Sequence, residues 1–122
     1  MKRTAAAIAL FALILLTRPA GTSAEDRVAL RVTPRVAFAP ANLIVRATVA
    51  ADEQNRAIEI IADSRDFYRS SEIQLDGERA PRLTQITFHD VPQGLYEIRA
   101  VLKGSTGHEL AATHTQVDVV GQ

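Results

Sequence analysis

Residues 91–102, VPQGLYEIRAVL, place a tight turn directly before a strand in which apolar and polar side chains alternate. Pro92 suits the first central position of a β-turn, and Gly94 is expected to supply a positive φ. A repeat of two residues is typical of a strand with one buried face, because successive side chains of a strand point to opposite sides. The side chains predicted to face inward are Tyr96, Ile98, Ala100 and Leu102.

The same alternation recurs through much of the chain. It predicts seven strands, at residues 28–33, 43–50, 57–62, 72–75, 83–89, 96–102 and 110–120. The proline-bounded segment 34–40 is expected to run along an edge with Val36 and Phe38 pointing inward. Asp76-Gly77 is predicted to form the tight turn that ends the fourth strand. Because no segment after residue 24 holds a helical repeat, the predicted fold class is all-β.

The turn and strand at 91–102 resemble the turn and penultimate strand of bacterial immunoglobulin-like and fibronectin type III-like modules. In those modules a tyrosine near the start of the strand caps the corner through its hydroxyl group, and Tyr96 occupies the corresponding position. The resemblance implies a single seven-stranded immunoglobulin-like β-sandwich over residues 25–122. The cysteine pair and the core tryptophan of antibody domains are missing from the sequence, so only the wider fold family is implied.

The first 24 residues have the layout of a secretory signal peptide. Lys2 and Arg3 give a positive start, residues 5–16 are all apolar, and Thr22-Ser23-Ala24 offers small residues for cleavage. The apolar run spans roughly 18 Å as a helix, short of the ~30 Å hydrocarbon core of a bilayer. We therefore expect cleavage near Ala24, a secreted or periplasmic location and no membrane span afterwards. The alternative is an uncleaved membrane anchor.

Composition limits the partners that the mature chain is expected to bind. The chain has 14 basic and 14 acidic residues, but Lys2, Arg3 and Arg18 belong to the predicted signal, which leaves 11 basic and 14 acidic residues and a net charge of −3. Binding to nucleic acid depends on neutralising phosphates, so this balance argues against nucleic acid, and likewise against anionic lipid. There is no cysteine, so the apolar core alone must hold this exported domain together.

Residues capable of catalysis or metal binding are scattered along the sequence. His108 and His114 are expected on one strand roughly 20 Å apart, too far for a shared metal. Asp76-Gly77-Glu78 supplies only a fragment of a calcium loop, and the serines have no glycine-flanked elbow. We therefore predict no catalytic residue, no metal site and no cofactor.

The segment Asp63-Ser64-Arg65-Asp66-Phe67-Tyr68-Arg69-Ser70-Ser71, which joins the third and fourth predicted strands, is the candidate binding site. Aromatic and arginine side chains dominate protein recognition surfaces. The predicted contact residues are Arg65, Phe67, Tyr68 and Arg69. In the alternative interpretation Phe67 fills the core, Tyr68 covers a sheet edge, and the arginines pair with Asp63 and Asp66.

These observations together favour a non-enzymatic, exported module that acts through protein–protein contact. The expected partner is a protein of the cell envelope or of the extracellular space. The alternative function is a small-ligand or carbohydrate-binding module, although the lack of tryptophan leaves few flat aromatic platforms for a sugar.

Overall fold

The computed structural model describes residues 27–121, so the predicted signal peptide at residues 1–24 lies outside the described residues. The described chain is all-β, apart from one turn of 3-10 helix at Gly77–Arg79. None of its helices is long and apolar enough to cross a membrane. The strands are β1 (Val28–Thr33), β2 (Val36–Phe38), β3 (Ala41–Val49), β4 (Ala57–Asp63), β5 (Tyr68–Gln74), β6 (Leu83–Val91), β7 (Gly94–Lys103) and β8 (Glu109–Val120).

Two sheets pack face to face as a β-sandwich. One is three-stranded, in the order β1-β3-β6, and the other is five-stranded, in the order β2-β8-β7-β4-β5. All pairings are antiparallel except that of β2 with β8, which is parallel. Each sheet buries one face against the other, as expected for strands that alternate apolar and polar residues.

In β3 and β7 the predicted inward faces are the buried ones. In β3, Leu43, Val45 and Ala47 are at most 1% exposed, whereas Thr48, which follows Ala47 and points outward, is exposed. The four inward residues predicted for β7 are all fully buried. Burial of each valine, leucine or isoleucine among them contributes about 1.5–3 kcal/mol, and the described residues contain no cysteine to add a covalent constraint.

The strand count differs from the prediction, because the structure contains eight strands rather than seven. The additional strand is β2, which lies within the segment 34–40 predicted to follow an edge. Val36 and Phe38 are both 66% exposed, so the prediction that they point inward is wrong. Ala37 packs against the core instead. In a strand of only three residues, the alternation of apolar and polar side chains is too short to show which side faces the core. The sequence alone therefore does not determine it.

The fourth predicted strand also begins earlier and ends differently. It corresponds to β5, which starts at Tyr68 rather than at Glu72. Asp76-Gly77 does not close a hairpin, because β5 and the next strand, β6, belong to different sheets. Gly77 has a φ of +52° and begins the 3-10 turn that carries the chain across. The dipeptide therefore lies in a connection between the two sheets rather than in a turn within one sheet.

Candidate functional site

The predicted binding segment forms one end of the sandwich, where it lies beside the turn between β6 and β7. Ser64 N donates to Phe67 O at 2.8 Å, which closes a two-residue turn at Arg65 and Asp66 between β4 and β5. The segment is therefore a tight hairpin turn followed by the start of an edge strand, whereas the sequence predicted a connection as far as residue 71. The short turn restricts how far its side chains can rearrange.

Two of the four predicted contact residues, Phe67 and Arg69, take structural roles. Phe67 is half-buried and meets the ring of Tyr96 edge to face, with ring centroids 6.0 Å apart and an interplanar angle of 78°. The Arg69 guanidinium lies 4.9 Å from the Phe67 ring centroid, within cation–π range. Arg69 Nη1 also donates to His89 O at 2.8 Å, which links β5 to the opposite sheet.

Tyr96 lies beneath this aromatic contact and holds the corner. Its ring is fully buried, and its hydroxyl donates to Pro92 O at 2.8 Å. This is the bond by which a corner tyrosine ties a strand to the turn before it. Burial raises the pKa of Tyr96 above its ordinary value of 10.0, so the hydroxyl stays protonated and remains a donor.

Gly94 has a different role from the one expected. Its φ is not positive, because the positive φ angles among residues 27–121 belong to Gly77, Gly107 and Asp90. A Cβ atom at Gly94 would lie 3.2 Å from Cε2 of Tyr96 and 3.3 Å from Oγ of Ser64. The glycine therefore lets the turn approach the tyrosine ring closely, and the left-handed residue of this corner is Asp90, with φ 56°.

The other two predicted contact residues remain accessible. Tyr68 is 59% exposed, and Arg65 is exposed at the tip of the hairpin. Leu95 on β7, which was not predicted as a contact residue, is 62% exposed. The alternation of the strand could have indicated this exposure, since an apolar residue directly before the inward Tyr96 must point outward. A shallow depression of about 430 Å³ is lined by Ser64, Arg65, Asp66, Gln93, Gly94 and Leu95.

The alternative ion pairing of this segment is not what the structure shows. Asp63 lies 3.8 Å from Arg99 on β7, and not beside Arg65 or Arg69. The alternative placement of Phe67 against the core is correct. The predicted site thus divides into a structural half, Phe67 and Arg69, and an accessible half, Arg65 and Tyr68.

Metal ligands do not converge in the part of the chain that the structure describes. No group of three or more histidine, cysteine, aspartate or glutamate side chains there is placed to hold a metal ion. His114 on β8 lies opposite Arg99 on β7. His108 precedes β8, in the turn from β7, and is therefore not on the strand that carries His114.

Comparison with known proteins places the chain in a class of folds. No family model and no curated protein matches it. Among solved structures it is similar to a superoxide reductase (neelaredoxin) from Ignicoccus hospitalis, with a TM-score of 0.56 and 14% identity over 76% of this chain and 80% of that one. At such identity the likeness concerns the fold alone, a β-sandwich.

Two further solved structures share this architecture. A family 76 glycoside hydrolase from a bovine Bacteroides thetaiotaomicron strain gives a TM-score of 0.54 at 17% identity, over 76% of this chain but only 20% of the hydrolase. The CARDB domain of a Pyrococcus furiosus protein, in complex with di-metal ions, gives 0.50 at 15% identity, over 79% of this chain and 93% of that domain. The chain is therefore similar both to whole small domains and to one part of a larger enzyme.

Proposed function

We propose that this chain is an exported, non-enzymatic, immunoglobulin-like module that binds another protein of the cell envelope or extracellular space. In this proposal residues 1–24 are the cleaved signal and residues 25–122 the functional domain. The order β1-β3-β6 opposite β8-β7-β4-β5 supports the immunoglobulin-like assignment. It matches strands A, B and E facing G, F, C and C′ of that fold.

The observation that carries the contact surface is a depression lined by Arg65 and Leu95, with the exposed Tyr68 on the same hairpin as Arg65. Tyr68 and Leu95 are large and are 59% and 62% exposed, and Arg65 lies at the tip of the hairpin that carries Tyr68. A tyrosine loses little conformational entropy when it is immobilised, and the aromatic contact below the hairpin fixes its base. We call Arg65, Tyr68 and Leu95 the hairpin-end surface.

Photo-crosslinking tests the hairpin-end surface directly. A benzophenone amino acid replaces Tyr68 in one variant and Ser105 in a control, since Ser105 is exposed in the turn after β7, at the opposite end of the sandwich. In cells that express the full chain we expect a discrete protein adduct from position 68 and none from position 105. Equal labelling from both positions, or none from position 68, would contradict the surface.

A second measurement separates binding from folding. The double variant Arg65→Ser, Tyr68→Ser should abolish the position-specific adduct formed from a probe at Leu95, with an unchanged melting temperature. The matched control is Arg79→Ser, Leu83→Ser. If instead a glycan or metabolite panel raises the melting temperature of the purified protein in a saturable way, the chain is a small-ligand module.

A further inference from the structure

The outer face of the three-stranded sheet carries arginines that no carboxylate of residues 27–121 neutralises. Arg31 on β1 lies directly opposite Arg46 on β3. Like charges in that arrangement repel each other. Arg46 Nε donates to Gln85 Oε1 at 3.0 Å, a neutral partner. Neither arginine takes part in the salt bridges found within residues 27–121.

A cleft runs beside β1 next to these arginines. Its volume is about 530 Å³, and its walls come from β1, the residues just after it, and Thr115 on β8. Arg35 reaches across one end, where its Nη2 lies 3.3 Å from Thr115 Oγ1. The lining contains two arginines, two threonines and apolar side chains: Leu30, Arg31, Val32, Thr33, Pro34, Arg35 and Thr115. No acidic residue is among them.

The backbone of β1 also offers unpaired hydrogen-bonding groups to this cleft. β1 is the edge of its sheet, and its register with β3 is regular throughout. Ala50 N donates to Arg27 O at 2.9 Å, at the start of the ladder. Bonded and non-bonded pairs alternate in an antiparallel ladder, so every second residue counted from Arg27 bonds to β3. The residues between them, Leu30 and Val32, direct their N–H and C=O groups away from β3.

We propose that the free edge of β1 binds an extended, acidic peptide segment of a partner protein, which adds to the three-stranded sheet as a further strand. Main-chain hydrogen bonds to Leu30 and Val32 hold the segment. A carboxylate opposite Arg31 relieves the repulsion between that residue and Arg46, and a second carboxylate meets Arg35. This edge surface is separate from the hairpin-end surface, so either can fail without the other.

An acidic peptide fits this edge better than other anions do. A phosphate or sulfate would use the arginines but leave the backbone groups of Leu30 and Val32 unpaired. Strand addition satisfies both sets of groups at once.

Fluorescence anisotropy with labelled synthetic peptides of about eight residues, a usual strand length, tests the proposal. The probe is a peptide of alternating threonine and glutamate. One control replaces glutamate by lysine, and a second replaces threonine by proline, which keeps the charge but removes half of the N–H groups. We expect saturable binding of the threonine–glutamate peptide to the purified domain and no binding of either control. Equal binding of the proline–glutamate peptide would reduce the interaction to charge alone and overturn strand addition.

Variants locate the binding on β1. Arg31→Ser combined with Arg35→Ser should weaken the peptide Kd about tenfold or more, because charge-assisted contacts are lost, whereas the control Arg79→Ser should leave it unchanged. Leu30→Pro should abolish binding, since it removes an N–H directed away from β3, a position where an edge strand tolerates proline. If Leu30→Pro unfolds the domain, the variant with both arginine substitutions still tests the proposal. An unchanged peptide Kd in that variant would overturn the proposal, as would a concentration-dependent dimer in sedimentation that excludes the peptide.

Discussion

The outer faces of the two sheets have opposite electrostatic character. On the five-stranded sheet, Lys103 Nζ lies 3.0 Å from Glu59 and 3.2 Å from Glu72, which joins three adjacent strands. On the three-stranded sheet, Arg31 faces Arg46 without a carboxylate between them. One face therefore satisfies its own charges, and the other retains charge that an external anion can satisfy.

A second ion-pair group strengthens the contrast. Arg99 Nη1 lies 3.0 Å from Glu97 Oε1 and 3.8 Å from Asp63 Oδ2, again on the five-stranded sheet. Beside it Ile61, which the alternation turns outward, is only 6% exposed because its neighbours across the strands cover it. An outward position in a central strand is therefore not necessarily exposed to water.

The largest effects should come from truncating core side chains of either sheet, because both sheets contribute to one core. Ile98→Ala in the five-stranded sheet should lower the free energy of unfolding by about 2–4 kcal/mol, and Val45→Ala in the three-stranded sheet by about 2 kcal/mol. Both side chains are at most 1% exposed. Urea unfolding measures the loss. A much smaller effect of Val45→Ala would mean that the sheets differ inside as well as outside.

The corner hydrogen bond is made by Tyr96, which lies in the five-stranded sheet. Tyr96→Phe should cost about 1 kcal/mol, since it removes the 2.8 Å bond to Pro92 O while the exposed turn leaves that carbonyl open to water. Thermal unfolding of the variant beside Tyr68→Phe, whose ring is exposed, provides the comparison. A Tyr96→Phe protein as stable as the native one would show that packing alone holds the corner.

The ion pairs of the five-stranded face should make stability fall at alkaline pH. Hydrogen bonds that Lys103 donates to Glu59 and Glu72 raise the pKa of Lys103 above 10.5, and burial raises the pKa of Tyr96 above 10.0. A group whose pKa is raised by folding stabilises the protein below its unfolded pKa, and that contribution disappears as pH rises through the folded pKa.

The melting temperature should therefore drop as the pH rises above about 10. The drop should be smaller in Lys103→Met and in Tyr96→Phe, each of which removes one of the two groups. Lys103→Arg keeps the charge but does not titrate in this pH range, so it should also show a smaller drop while its melting temperature at neutral pH stays close to that of the native chain. Identical pH profiles for Lys103→Met and the native chain would show that the ion pairs of this face do not contribute to stability.

The smallest effect concerns the opposed arginines. Arg31→Thr should raise the free energy of unfolding by about 0.3 kcal/mol at low ionic strength, because it removes a repulsive cross-strand pair. The gain should vanish in about 1 M salt, where charges are screened within about 3 Å. Arg82→Thr, at an exposed position outside this pair, is the control. A loss of stability in Arg31→Thr would mean that the arginine is already satisfied.

Strand faces and the corner could be predicted from sequence because both depend on local features. A period of two assigns the buried side of a strand several residues long, as in β3 and β7, whatever sheet the strand joins. The hydroxyl of Tyr96 needs only the turn that precedes it by four residues.

The binding segment was predicted less well, because contacts with residues distant in the sequence decide which of its side chains are buried and which are exposed. Phe67 and Tyr68 are adjacent in sequence, yet one packs on Tyr96 and the other is exposed. The prediction of a contact through Arg65 and Tyr68 remains a proposal. The structure adds Leu95, which reaches the same depression from a strand more than twenty residues away.

By itself the sequence determined an all-β chain whose strands bury alternate residues, since that information lies in the order of apolar and polar side chains. Only the tertiary structure decided that β2 becomes an eighth strand and that Asp76-Gly77 crosses between sheets. It alone also placed Arg31 opposite Arg46. Those outcomes depend on which strands become neighbours, and strand pairing is set by burial of the whole core rather than by any local pattern.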